Sequence, residues 1–230
     1  MEIKPLQKFH RETIEQLLSA IPFFRSVKQY DQAQFDQLLQ YSKIITYRPS
    51  EVVLQRGDGD QWLYFLLKGR LAVYAGDELG NEPVNYITPG EVFGDLARLT
   101  RKPRSATIVA DSSCREAMVF SADFSLFDDL NSTRPISLHT KLLYYRNTVH
   151  NLRWKLEMYR TQHPGNALAD KHRQIKLYMG SKDTADELLS LHEQARALAE
   201  LLFSWNRGLG SVGQDASSRD LLSAQEDQAG

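Results

Sequence analysis

Between Ser42 and Phe120 the chain is a succession of short β-rich runs: KIITY, EVVLQ, QWLYFLL, GRLAVYA, PVNYI, SATIVA and EAMVF. Turn residues break them at Arg48-Pro49-Ser50, Gly57-Asp58-Gly59-Asp60, Lys68-Gly69, Gly80-Asn81 and Pro89-Gly90. Runs this short cannot bury an apolar face singly. Turn signals about every 8–12 residues therefore mean a barrel or sandwich.

Helical spacing governs the flanks. Ile14, Leu17, Leu18 and Ile21 form one apolar stripe, Pro22 interrupts it, and Phe35, Leu38 and Leu39 form a second. A short helix is expected over Ser121–Leu130, capped by Ser121 with Asp123 in its first turn. From Arg134 to Gln162, Leu138, Leu142, Tyr145, Val149, Leu152, Leu156 and Tyr159 make an unbroken heptad seam, stopped by His163-Pro164-Gly165. Leu188, Leu191, Ala195, Leu198, Leu202 and Trp205 repeat the rule in a last helix. The reading divides the chain into N-terminal helices (1–41), a roll with a short following helix (42–130), a helical dimerisation and effector region (131–207) and a disordered tail (208–230). The fold class is α+β.

Composition narrows the setting. Net charge is −1, so any nucleic-acid surface has to be local. The N-terminus lacks an apolar core, no run reaches the roughly 18 apolar residues of a membrane span, and Cys114 is the one cysteine. These features point to a cytoplasmic protein without membrane contact. The six histidines (10, 139, 150, 163, 172, 192) all lie outside the roll, which argues against a metal or haem site there, and no catalytic motif is present.

The stretch Phe93–Ile108 carries the chemistry. Gly94 permits close backbone approach, and Leu96-Ala97-Arg98-Leu99 can form one helical turn whose amides suit an anion. Arg98, Arg101, Lys102 and Arg104 fall within seven positions, and Asp95 before them suits hydroxyls. An anionic ligand with a sugar would satisfy these groups.

Phe93, Gly94, Leu96, Ala97, Leu99, Pro103, Arg104, Ser105, Ala106 and Thr107 fall in register with the phosphate-binding cassette of cyclic-nucleotide-binding domains, which this stretch resembles. Ser50-Glu51-Val52-Val53, Arg56-Gly57-Asp58, Leu63-Tyr64-Phe65-Leu66 and Gly69-Arg70-Leu71 follow the order of the same family. The resemblance implies a double-stranded, jelly-roll-like β-roll of about eight strands between N-terminal helices and a long heptad helix. It also implies that Arg104 pairs with the exocyclic phosphate. Ser105 and the amides near Leu96, Ala97 and Ala106 then complete the cradle, with Gly94 at its entrance and Asp95 toward the ribose. The helix after the roll would close over the base with Asn151, Leu152 and Arg153. Asp95 stands where the family has a glutamate, and Arg98 where it has a leucine. A shorter acid and an added cation leave cyclic di-GMP open beside cyclic AMP.

Function is thus expected to be cyclic-nucleotide sensing without catalysis, signalling through the C-terminal helices to a protein partner. The alternatives are a catabolite-activator-type transcription regulator and a ligand-free interaction module with a degenerate pocket. No alternating strand pair follows Pro164, which argues against a winged helix-turn-helix and a nucleic-acid partner. Residues 134–163 carry six basic groups and one acid, whereas 183–200 carry five acids and one base, so an acidic helix is expected to fold back on a basic one. The exposed seam over 138–159 is expected to form a homodimer.

Overall fold

The computed structural model describes residues 1–75 and 82–226, with side chains as far as residue 209. In chain order it runs β1 (Glu2–Pro5), α1 (Arg11–Ser19), α2 (Pro22–Tyr30), α3 (Gln32–Leu39), β2 (Ser42–Tyr47), β3 (Val52–Leu54), β4 (Leu63–Lys68) and β5 (Leu71–Tyr74). There follow β6 (Asn85–Ile87), β7 (Val92–Phe93), α4 (Asp95–Thr100), β8 (Thr107–Ala110), β9 (Ala117–Ala122), α5 (Leu138–Gln162) and α6 (Ala185–Glu226).

The strands form two antiparallel sheets, ordered β1-β2-β9-β4-β7 and β3-β8-β5-β6. Period-two alternation explains why the first sheet is buried on both faces. Ile45, Tyr64, Leu66 and Val119 point between the sheets, while Ile44, Leu63, Phe65 and Phe120 point outward into a second core. That second core is built with the helices: Phe24 meets Phe65 and Phe120 edge-on at centroid separations of 5.0 and 5.2 Å. The α+β roll of eight strands, β2–β9, is the expected architecture.

Several local expectations are corrected. The first residues are not helical throughout, because Glu2–Pro5 pairs with β2 from Glu2 opposite Thr46 to Pro5 opposite Lys43. Ser121 caps no helix; it lies fully buried inside β9, and only a 3-10 turn follows at Ser125–Phe127. The long helix begins at Leu138 rather than Arg134, because Ser137 caps it by accepting from the Thr140 amide. Beyond Gly208 the backbone is helical to Glu226; residues 227–230, part of the expected tail, lie outside the described residues.

The expected homodimer loses its physical reason. The seam of α5 is covered within the chain by α6, and Leu142, Tyr145, Leu152, Leu156, Leu198, Leu202 and Trp205 share one core. Charge pairing supports the packing as the sequence suggested: Arg146 grips Glu187 with two hydrogen bonds of 2.8 and 2.7 Å. The direction differs from a simple fold-back. Pairs advance together along both helices, Arg146 with Glu187, Arg153 with Gln194 and Tyr159 with Asn206, so α5 and α6 run parallel. Residues 163–184 carry the chain back, and Arg153 fastens that return by donating to the carbonyls of His172 and Ile175. Among the described residues no helix is long and apolar enough to cross a membrane.

Because Leu156 is fully buried between the two helices, Leu156→Ala should lower the unfolding free energy by about 2–5 kcal/mol. Urea denaturation followed by far-UV circular dichroism checks this; a loss below about 1 kcal/mol would show that α6 does not cover the seam.

Candidate functional site

The connection between β7 and β8 is the cassette. Gly94 sits at φ +83°, which L side chains rarely adopt, and turns the chain into α4. A side chain there would also collide: a Cβ would lie 2.8 Å from the Arg104 Nη1 and 2.9 Å from the Trp62 carbonyl oxygen. Arg104 is buried beneath this turn and held from every side. Its Nη1 donates to the Gly94 oxygen at 2.7 Å and its Nη2 to the Trp62 oxygen at 3.0 Å. Its Nε and Nη2 both donate to the Asp60 carboxylate, at 3.2 and 2.5 Å. Backbone bonds from Arg104 to the Asp58 oxygen and from Gly57 to the Arg104 oxygen, each 2.9 Å, fix the residue to the β3–β4 turn.

Asp60 is the counter-ion that the sequence reading passed over as a turn residue. It also accepts from the Tyr64 hydroxyl at 3.2 Å and the Trp62 amide at 3.1 Å. Burial opposes its ionisation, but the hydrogen bond and charge of Arg104 outweigh that and hold the carboxyl below its usual range. Burial in turn pushes the Tyr64 hydroxyl well up, with the Asp60 charge adding to it.

The other expected residues divide into three groups. Leu96, Ala97 and Ala106 line one cavity with Gly94, Asp95, Arg104 and Ser105. Asp95 is buried and faces Lys155 of α5, whose Nζ is 3.5 Å from the carboxylate and 3.1 Å from the Val92 oxygen. The Ser105 hydroxyl accepts from the Asn206 carboxamide of α6 at 3.0 Å. Arg98, expected to meet a second anionic group, turns away instead: its side chain is 3% exposed and its Nη2 donates to Asp128 at 2.5 Å. Asn151 and Arg153 do not reach the cassette either. Asn151 lines a crevice against α2, and Arg153 holds the return segment, because the α5 face over the cassette is that of Lys155 and Tyr159.

Lys155, Tyr159, Leu202 and Asn206 are the site residues that sequence reasoning missed. Each lay in a heptad helix, where spacing reported the seam and nothing reported the cassette across it. Together they reduce the cavity over Arg104 to about 80 Å3, well under the roughly 300 Å3 at which small-molecule sites begin. An ion pair from Lys102 to Glu200 and the Lys102 ammonium 4.8 Å from the Phe203 ring centre add to the closure. Among the described residues no cluster of His, Cys, Asp and Glu suits a metal ion.

The β7–β8 connection thus folds over a buried arginine held by carbonyl oxygens and one carboxylate. Residues 44–127 match the family model described as the cyclic nucleotide-binding domain. The cAMP-dependent protein kinase regulatory subunit of Colletotrichum orbiculare is 30% identical over 114 residues, covering 50% of this chain and 28% of that protein. The cGMP-dependent protein kinase of Plasmodium berghei is 34% identical over 91 residues, covering 38% of this chain and 10% of that protein. This chain therefore spans under a third of either relative. The solved regulatory domain of Toxoplasma gondii PKA with cAMP is 15% identical, with a TM-score of 0.45, covering 61% of this chain and 50% of that one.

Two measurements test this geometry. Gly94→Ala should lose about 1–3 kcal/mol of stability, the usual cost of a strained left-handed position, in urea denaturation; an unchanged midpoint would refute the close approach to Arg104. Because the folded Asp60 pKa is depressed, its contribution is present above the unfolded value of about 3.9 and is lost as pH falls through the folded value. Asp60→Asn should therefore be less stable than wild type at pH 6, and the gap should narrow as pH falls below the unfolded value of about 3.9. A gap that does not vary between pH 6 and pH 3 would remove the ion pair from the account.

Proposed function

We propose that the protein is a cyclic-nucleotide-sensing regulator without catalytic activity, in which ligand and helix α6 compete for one cassette. The observation that carries the reading is Arg104, buried in a cyclic nucleotide-binding domain at the floor of a cavity that α6 nearly fills. A cyclic phosphate arriving at Gly94–Ala106 takes up Arg104 donors and the Ser105 hydroxyl that Asn206 now occupies. Cyclic AMP is the first candidate, in keeping with relatives whose names include cAMP-dependent kinase subunits. With Arg98 turned into the interior against Asp128, the motive for a cyclic dinucleotide is gone.

The closed cassette supplies a signal. With about 80 Å3 available, a mononucleotide enters only when the Leu202–Asn206 segment moves away. Apparent affinity then falls by the fraction of molecules with α6 displaced. Displacement uncovers apolar surface along α5, which is the surface a protein partner would take. The described residues after β9 contain no strand pair that would form a wing, which weakens the catabolite-activator alternative. A ligand-free interaction module is the alternative in which α6 never leaves.

Calorimetric titration of the full chain with cyclic AMP decides between these. Wild type should bind. Arg104→Ala should lose about 2–5 kcal/mol, and Asn206→Ala combined with Lys102→Ala should bind about tenfold tighter, as expected when roughly 1.4 kcal/mol of closure is removed. Equal affinity in wild type and the α6-loosened variant would leave the sensor and discard the competition. No binding by either would discard the sensor.

A further inference from the structure

A second cavity, of about 350 Å3, opens on the far side of Lys155 between α2, the β6–β7 turn and α5. That volume falls within the range of roughly 300–1,000 Å3 usual for small-molecule sites. Its floor is apolar, made by Ile21, Phe23, Phe65 and Val92, all buried. Its α5 wall is different. Asn147, Asn151 and Trp154 follow one another at spacings of four and three residues, which places them on one stripe of the helix facing the cavity.

The polar groups of that wall are unevenly engaged. The Asn147 Nδ2 donates to the Leu143 oxygen at 2.8 Å, which leaves its carbonyl oxygen without a donor among the described residues. Asn151 has no hydrogen-bond partner among the described residues, and Trp154 keeps 49% of its surface exposed at the mouth. The permanently charged groups of the lining are already in use. Glu91 accepts from the amide and hydroxyl of Thr88 at 2.6 and 2.7 Å, and Lys155 is held by the Val92 oxygen and Asp95.

We infer that this crevice is a binding site for an uncharged, planar nitrogen heterocycle. The ring lies on the apolar floor against the Trp154 indole, and its donor and acceptor edge meets the Asn147 and Asn151 carboxamides. A carboxamide presents one donor and one acceptor side by side, the pattern that pairs with the edge of a purine. The lining's one lysine is committed and its one histidine, His150, is exposed to solvent, so the site favours a base over a nucleotide, the reverse of the cassette. It does not use Arg104 and stands independently of the proposed sensing function.

Adenine, which carries neither sugar nor phosphate, is the probe. In NMR titration of the full chain, adenine should shift the side-chain amide signals of Asn147 and Asn151 saturably at up to millimolar concentration. Trp154→Leu should weaken binding about tenfold, the scale of one lost base-stacking contact, and Asn151→Leu should also weaken it. Both crevice variants alter partly exposed side chains, and circular dichroism checks that they remain folded. Shifts confined to Gly94–Ala106, indifference to Trp154→Leu and Asn151→Leu, or no saturable shift at all would each overturn the assignment.

Discussion

A guanidinium buried under the cassette has to be neutralised and hydrogen-bonded in every state of the protein, because an unpaired buried charge costs several kcal/mol. Arg104 meets that requirement through Asp60 and the carbonyls of Gly94 and Trp62. The requirement propagates outward. It demands a residue without a side chain at position 94, pins the β3–β4 turn against the cassette, and buries the Tyr64 hydroxyl beside the same carboxylate. The arginine's surroundings are therefore a complete hydrogen-bonded network, and an anion of the proposed kind would exchange partners within it.

Helix α6 solves a different problem with the same residues. The α5 seam is too apolar to face water, and roughly 25 cal/mol is gained for each Å2 of it covered. α6 covers it from Leu188 to Trp205, and because the two helices run parallel, the C-terminal end of that contact arrives at the cassette. Leu202 is thus buried in the helix core and lines the cassette cavity as well. Packing and closure are one contact, so neither can change alone.

The roll was legible because its signals are local: β-rich runs, turn residues, and a cassette whose spacing survives in one continuous stretch. The failures were of another kind. β1 is four residues long and mostly exposed, with no apolar face to mark it. Ser121 in front of an acidic stretch has the composition of a cap, and only the pairing of β9 with two strands at once shows that it is core. Arg98 in a basic loop looks free for a ligand, since its partner Asp128 is 30 residues away in sequence. Asn206, Lys155 and Asp60 belong to the site by tertiary contact alone, and heptad or turn spacing carries no information about what lies across an interface.

Helix α5 carries three contacts at once. Leu152, Leu156 and Tyr159 meet α6, Lys155 meets Asp95 of the cassette, and Asn147, Asn151 and Trp154 wall the second crevice. A 25-residue helix moves largely as a body, and close-packed cores switch between arrangements more readily than they deform. Coupling along such an element needs no chain of intermediary residues; it needs only that each neighbour contact the helix differently in its two positions. Lys155 touches both neighbours, since its ammonium joins the Val92 carbonyl to the Asp95 carboxylate and its side chain borders both cavities. Lengthening those contacts would therefore alter the walls of both cavities together.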